Sequence, residues 1–193
     1  MAIKLTKREL HSQETRNNII AAAAELFHSY GFDRVSVKDI AERAGVTTGA
    51  MYHHFKNKDD LMTAVLLDQS KSFVGLSKKF AKSDDPLSDL KWLLCEYMVQ
   101  RVLDDGMEFT RHRVLKVFRC NNEDLNSCVK AIARRGLELG VFRKDVSEDD
   151  LCDLFTSIHR GAAYELCMSS SPIDLEQVTR RRLKLVLEGV VAR

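Results

Sequence analysis

A chain of 193 residues is long enough to bury a sizeable core, as one domain or two small ones. Apolar residues make up 45% and prolines number two, and no apolar run approaches the roughly 20 residues a membrane span needs, so the chain reads as soluble. The formal net charge of +2 names no partner by itself, yet residues 1–58 hold nine Lys or Arg against six Asp or Glu, while the remainder holds 21 against 22.

That excess lies where a phosphate backbone would need it. The N-terminus has no apolar stretch followed by a small-residue cleavage site, which points away from export and towards the cytoplasm. Residues 1–12 are polar, basic and aperiodic and read as a frayed, solvated tail, although Lys4, Lys7 and Arg8 could reach a minor groove. A helix is expected from Ser12 or Thr15 to Tyr30, with Ile19, Ile20, Ala23, Leu26 and Phe27 as its buried stripe and Gly31 as its stop. Residues 36–55 (SVKDIAERAGVTTGAMYHHF) then read as two short helices around a tight turn. Ser36 caps the first, with Asp39 three residues on, and Val37, Ile40, Ala41 and Ala44 share one face. Gly45 closes it, Val46 turns inward, and Thr47 caps a second helix running to Phe55. The second helix opens on Thr47, Thr48 and Gly49, followed by Tyr52 and His53. Hydroxyls and a bare backbone there could approach phosphates and base edges in a major groove. Asn57 caps a fourth helix, expected to run as far as Phe80.

With its flanks, the stretch IIAAAAELFHSYGFDRVSVKDIAERAGVTTGAMYHHFKNKDDLMTAVL resembles the DNA-binding signature of the TetR family of bacterial regulators. The matching positions are Ala23, Phe27, Gly31, Ser36, Ile40, Ala41, Ala44, Gly45, Val46, Gly49, Tyr52, Phe55, Lys58 and Leu61. The resemblance covers the first third of the chain and is loose beyond it. It implies an all-α protein with a three-helix helix-turn-helix domain over residues 1–58 and a helical ligand-sensing and dimerisation domain over residues 59–193. It further implies a transcriptional regulator, expected to be a repressor released from a palindromic double-stranded DNA operator by a small molecule. In the implied mechanism the ligand tilts the fourth helix and shifts the spacing of two heads. The expected DNA-contacting set is Ser36, Lys38, Thr47, Thr48, Gly49, Tyr52, His53 and Lys58.

Past residue 80, Asp85 caps and Pro86 opens a helix to about Asp104 that is apolar nearly all round. Residues 107–120 are read as a short helix. Another runs from Asn122 to Gly140, with Phe142 and Val146 anchoring the loop after it. Ser147 caps a helix carrying Leu151, Leu154, Phe155, Ile158, Ala162 and Leu166, and Asp174 leads into the last, with Leu183, Val186 and Val190. In the family resembled, such a pair packs against its symmetry mate as a four-helix bundle, so Leu151, Leu154, Phe155, Ile158, Ala162, Leu183, Val186 and Val190 are expected to form a homodimer interface.

A small-molecule site could gather Trp92, Tyr97 and Arg101 from the central helix, Phe109, His112 and Arg113 from the next segment, and His159, suiting an aromatic or amphipathic molecule with an acidic group. A solid core with solvated arginines is the plainer alternative. His112 and His159 lack a His, Asp or Cys partner at helical ligand spacing, so no metal is expected, and no cofactor either. The five cysteines form no CxxC and read as buried thiols, with Cys120 beside Arg119 the one candidate thiol sensor. No nucleophile elbow, phosphate loop or zinc pattern occurs, so enzymatic activity is not expected. Rival readings are an interaction module that kept the head without operator binding, a thiol-sensing regulator, and a helical enzyme using His112 or His159.

Overall fold

A computed structural model describes residues 6–69, 73–114 and 123–192. The chain is all-α and divides into two compact units, Met1–Gln69 and Ser70–Arg193.

The first unit is built from α1 (Lys7–Tyr30), α2 (Val37–Arg43), α3 (Thr48–His54) and α4 (Lys58–Gln69). Helix α1 starts earlier than expected because Thr6 and Glu9 form a reciprocal cap: the Glu9 amide donates to the Thr6 hydroxyl while the Glu9 carboxylate accepts from the Thr6 amide. Its buried stripe, Ile19, Ile20, Ala22, Ala23 and Phe27, meets Ile40 and Ala41 of α2, Met51 of α3, and Leu61, Met62 and Val65 of α4 in one small core. At roughly 1.5–3 kcal/mol per fully buried large apolar side chain, this core is what holds three short helices that would not persist alone. Because α4 packs along α1, it belongs to this unit. The first compact unit therefore ends at Gln69, past the boundary expected at residue 58.

The second unit holds α5 (Phe73–Phe80), α6 (Pro86–Trp92), α7 (Met98–His112), α8 (Glu123–Glu138), α9 (Glu148–Met168) and α10 (Leu175–Val190). Leu93–Tyr97 forms a single π-helical turn joining α6 to α7. Gly106 interrupts α7 with φ of 74°, a left-handed value that only glycine takes without strain, so the expected break near Asp104 is present as a kink. Asp85, Ser147 and Asp174 cap α6, α9 and α10 as their spacing predicts. A large core gathers Phe73, Phe80, Leu93, Leu94, Val129, Ile132, Phe142, Leu151, Phe155 and Leu183. Phe142 lies so close under α8 that a Cβ on Gly136 would fall 2.3 Å from its ring, which fixes glycine at that position. The fourth helix, expected to continue to Phe80, is described only to Gln69, and the expected helix start at Asn122 lies outside the described residues.

Candidate nucleic-acid interface

The turn between α2 and α3 is set by backbone chemistry. Gly45 N–H donates to the Glu42 carbonyl at 3.1 Å and Val46 N–H to the Ala41 carbonyl at 2.9 Å, the paired bonds of a Schellman closure, with Gly45 at φ of 69°. Thr47 then opens α3, its hydroxyl oxygen accepting from the Ala50 amide at 3.1 Å. Seven residues of helix follow, and they split sharply: Met51 is 0% exposed in the core, and its neighbour Tyr52 is 54% exposed. Thr47, Thr48, Gly49 and His53 are exposed with Tyr52, so the start of α3 presents hydroxyls and a side-chain-free backbone position to solvent, as the sequence spacing predicts.

Ser36 is exposed but occupied. Its hydroxyl and amide donate to the Asp39 carboxylate at 2.7 and 2.8 Å, which holds that carboxyl below its usual range, and the hydroxyl accepts from the Asp39 amide at 3.2 Å. Lys38 projects from the first turn of α2 and is exposed. Lys58 is placed differently from the phosphate ligand expected of it: its ammonium donates to the carbonyls of Val35, at 2.8 Å, and Phe32, and lies 4.1 Å from the Phe32 ring centroid. It therefore ties α4 to the loop before α2. A second tie escaped sequence reasoning, since nothing local marks a pair 18 residues apart: Arg43 Nη2 of α2 donates to both carboxylate oxygens of Glu25 of α1, at 2.7 and 2.9 Å, and Nε to one of them at 3.2 Å. Arg16 of α1 stacks 5.0 Å from the Phe55 ring, and burial, then His53 and Arg16, push His54 below the ordinary histidine range.

The residues expected to line a ligand site fall into two groups. Trp92 and Tyr97 pack on each other at 5.2 Å and on Phe80 and Phe73, an aromatic stack within the second unit's core. Arg101 lies 5.2 Å over the Phe73 ring. Arg113 is buried in an ion pair with Asp105, beside the fully buried His159. Burial first, and then Arg113, Arg160 and Arg101, push His159 down to about 4, so the imidazole is neutral at physiological pH. Phe109 is buried and His112 half-buried on the same stretch of α7.

Of the residues expected on a chain-to-chain face, Leu151, Phe155, Ile158, Ala162, Leu183 and Val190 are instead buried in the unit's own core, because that face of the α9–α10 pair packs on α7, α8 and the π turn. Leu154 and Val186 keep exposed surface. The apolar side chains that do face outward are Leu154, Tyr164 and Met168 of α9 and Leu185 of α10. Cys95, Cys128, Cys152 and Cys167 are buried free thiols as expected, while Cys120 lies outside the described residues. No described helix is long and apolar enough to cross a membrane.

A capped helix-turn-helix head is followed in sequence by a helical second unit. Residues 19–65 match the family "Bacterial regulatory proteins, tetR family". The HTH-type transcriptional regulator TtgR of Pseudomonas putida is 40% identical over 104 residues, covering 53% of this chain and 49% of that protein. This chain thus spans about half the length of that relative. The HTH-type transcriptional repressor KstR2 of Mycolicibacterium smegmatis is 27% identical over 185 residues, 91% of this chain and 90% of that one. Among solved structures, SmeT, the repressor of the Stenotrophomonas maltophilia multidrug efflux pump SmeDEF, shares the fold with a TM-score of 0.67 at 24% identity over 93% of both chains. A SmeT–triclosan complex superposes with a TM-score of 0.64 at 25% identity over 92% of both.

Proposed function

We propose that this chain is a DNA-binding transcriptional repressor that works as a homodimer and is released from a palindromic operator by a small organic effector. The observation that carries the reading is the solvent-facing start of α3: Thr47, Thr48, Gly49, Tyr52 and His53 are exposed together, directly after a turn closed by backbone hydrogen bonds. A helix entering a major groove needs this combination of a rigid entry and a hydrogen-bonding tip. Lys38 supplies a phosphate contact beside it. Ser36 and Lys58 act one step back, as a cap and as a tie that hold α2 and α4 in place.

The effector site is assigned to the second unit around Arg101, Arg113 and His159, with Phe109 and His112 on the same helix and Trp92 and Tyr97 forming an aromatic wall. A neutral buried imidazole among guanidinium groups suits a molecule that is flat or apolar and carries an acidic group. That SmeT, a repressor of this fold, has been solved with triclosan is consistent with such a site. The chain-to-chain contact is assigned to Leu154, Tyr164, Met168 and Leu185, whose apolar surface a lone chain leaves in water.

Selecting bound fragments from the protein's own genome tests the reading. A repressor of this kind enriches one inverted repeat. An interaction module that merely keeps the head enriches none.

A further inference from the structure

The second unit contains a groove of about 400 Å3 between α6, the π turn and α10, whose lining shares no residue with the set assigned to the effector. Its floor is Cys95 and Leu183, both buried, and its walls are Leu87, Leu187 and Val191. Lys91, Lys184 and Arg180 stand exposed around it with Glu188. The volume lies within the roughly 300–1,000 Å3 typical of small-molecule sites.

Two features make this a formed site. The π turn places an extra residue in the helix where Cys95 faces the groove, a local widening frequent at functional positions. The α10 wall is also fastened at its end, where Ala192 N–H donates to the Val141 carbonyl and an Arg143 guanidinium N–H to the Gly189 carbonyl, each at 2.9 Å. Both bonds hold the end of α10 to the loop after α8.

Charge selects what fits. Arg180 is taken up by Glu176 at 2.7 Å and Glu96 at 3.3 Å. Among the described residues Lys91 and Lys184 form no ion pair, and Glu188 is the one carboxylate of the lining. An occupant must be apolar along Leu87, Leu183 and Leu187 and negative where it meets the two ammonium groups.

We propose that this groove binds an amphipathic organic carboxylate, its aliphatic body against the leucines and its carboxylate between Lys91 and Lys184. Such a site is additional to the effector site and does not depend on it. A ligand here wedges α6 against α10, so binding stiffens the second unit.

Decanoate is the probe, with decanol as the uncharged control, titrated into the full chain by calorimetry. Decanoate is expected to bind saturably at one per chain and to raise the melting temperature. The exposed double variant Lys91→Glu, Lys184→Glu should keep the fold, weaken decanoate at least tenfold and leave decanol unchanged. No saturable binding, or full decanoate affinity in the double variant, overturns the proposal. So does a double variant that changes its association state with no decanoate bound by either protein, since the groove is then a contact between copies.

Discussion

The Lys58 ammonium donates to the Val35 carbonyl at 2.8 Å, so a side chain that sequence alone offers to a phosphate is spent inside the head. Hydrogen bonds from a charged donor to half-buried carbonyls stabilise by about 1.5–3 kcal/mol. Lys58→Met is therefore expected to lower the stability of the head by about that amount. The slope of log affinity against log salt should change by much less than one. Thermal melting together with operator titrations at several salt concentrations checks both. Unchanged melting with a slope reduced by about one would return Lys58 to the phosphate.

Tyr52 and Met51 are neighbours with opposite roles. Tyr52→Ala should leave melting unchanged and weaken operator binding by about 1–3 kcal/mol, the range for a lost base or phosphate contact. Met51→Ala should cost about 2–5 kcal/mol of stability, since a fully buried side chain leaves a cavity. Circular dichroism with fluorescence anisotropy on labelled operator separates the two. Unfolding in Tyr52→Ala would mean that the exposed face of α3 has another function.

The α9–α10 pair gives a second contrast. Leu154 is 41% exposed and Leu185 61%, so Leu154→Glu with Leu185→Glu should yield folded monomers that lose operator affinity. Leu151→Glu should misfold, because that position is inside the unit's own core. Light scattering after size exclusion, read beside circular dichroism, decides the matter. Folded dimers in the exposed pair would move the interface elsewhere.

His159 makes stability depend on pH. Its folded value near 4 lies below the ordinary 6.5, so between these values the unfolded chain binds a proton that the folded chain does not. Stability is fully present above pH 6.5 and is lost as pH falls, by up to about 1.4 kcal/mol per unit, until pH 4. His159→Leu should flatten this part of the profile whatever it does to absolute stability. Melting temperatures of both proteins across that window are the measurement, and equal slopes would remove His159 as the cause.

The head was legible because its determinants are local. Ser36 with Asp39, Thr47 with Ala50 and the glycine at 45 act within three or four residues, the range over which helix caps and closures operate. The ties of Lys58 to Val35 and of Arg43 to Glu25 span 23 and 18 residues and leave no periodic trace. On α9 and α10 the helical period found an apolar stripe at Leu151, Phe155, Ile158 and Ala162, but period alone does not say whether a stripe faces its own chain or another. The core of the second unit took it, and the outward surface fell to the less regular set of Leu154, Tyr164 and Met168. The groove above Cys95 has no sequence signal, since its walls come from segments far apart in the chain.

If two heads read one inverted repeat, each chain alone grips DNA poorly. Half-sites on one face of B-DNA lie about 34–36 Å apart, or a multiple of that, and only a joined pair of heads can use both. Sedimentation of the protein with the full selected operator, and with a duplex carrying one half-site, tests this most directly. Two chains should bind the full site together, with affinity at least a hundredfold above the half-site. One chain bound with equal affinity to either duplex would contradict it.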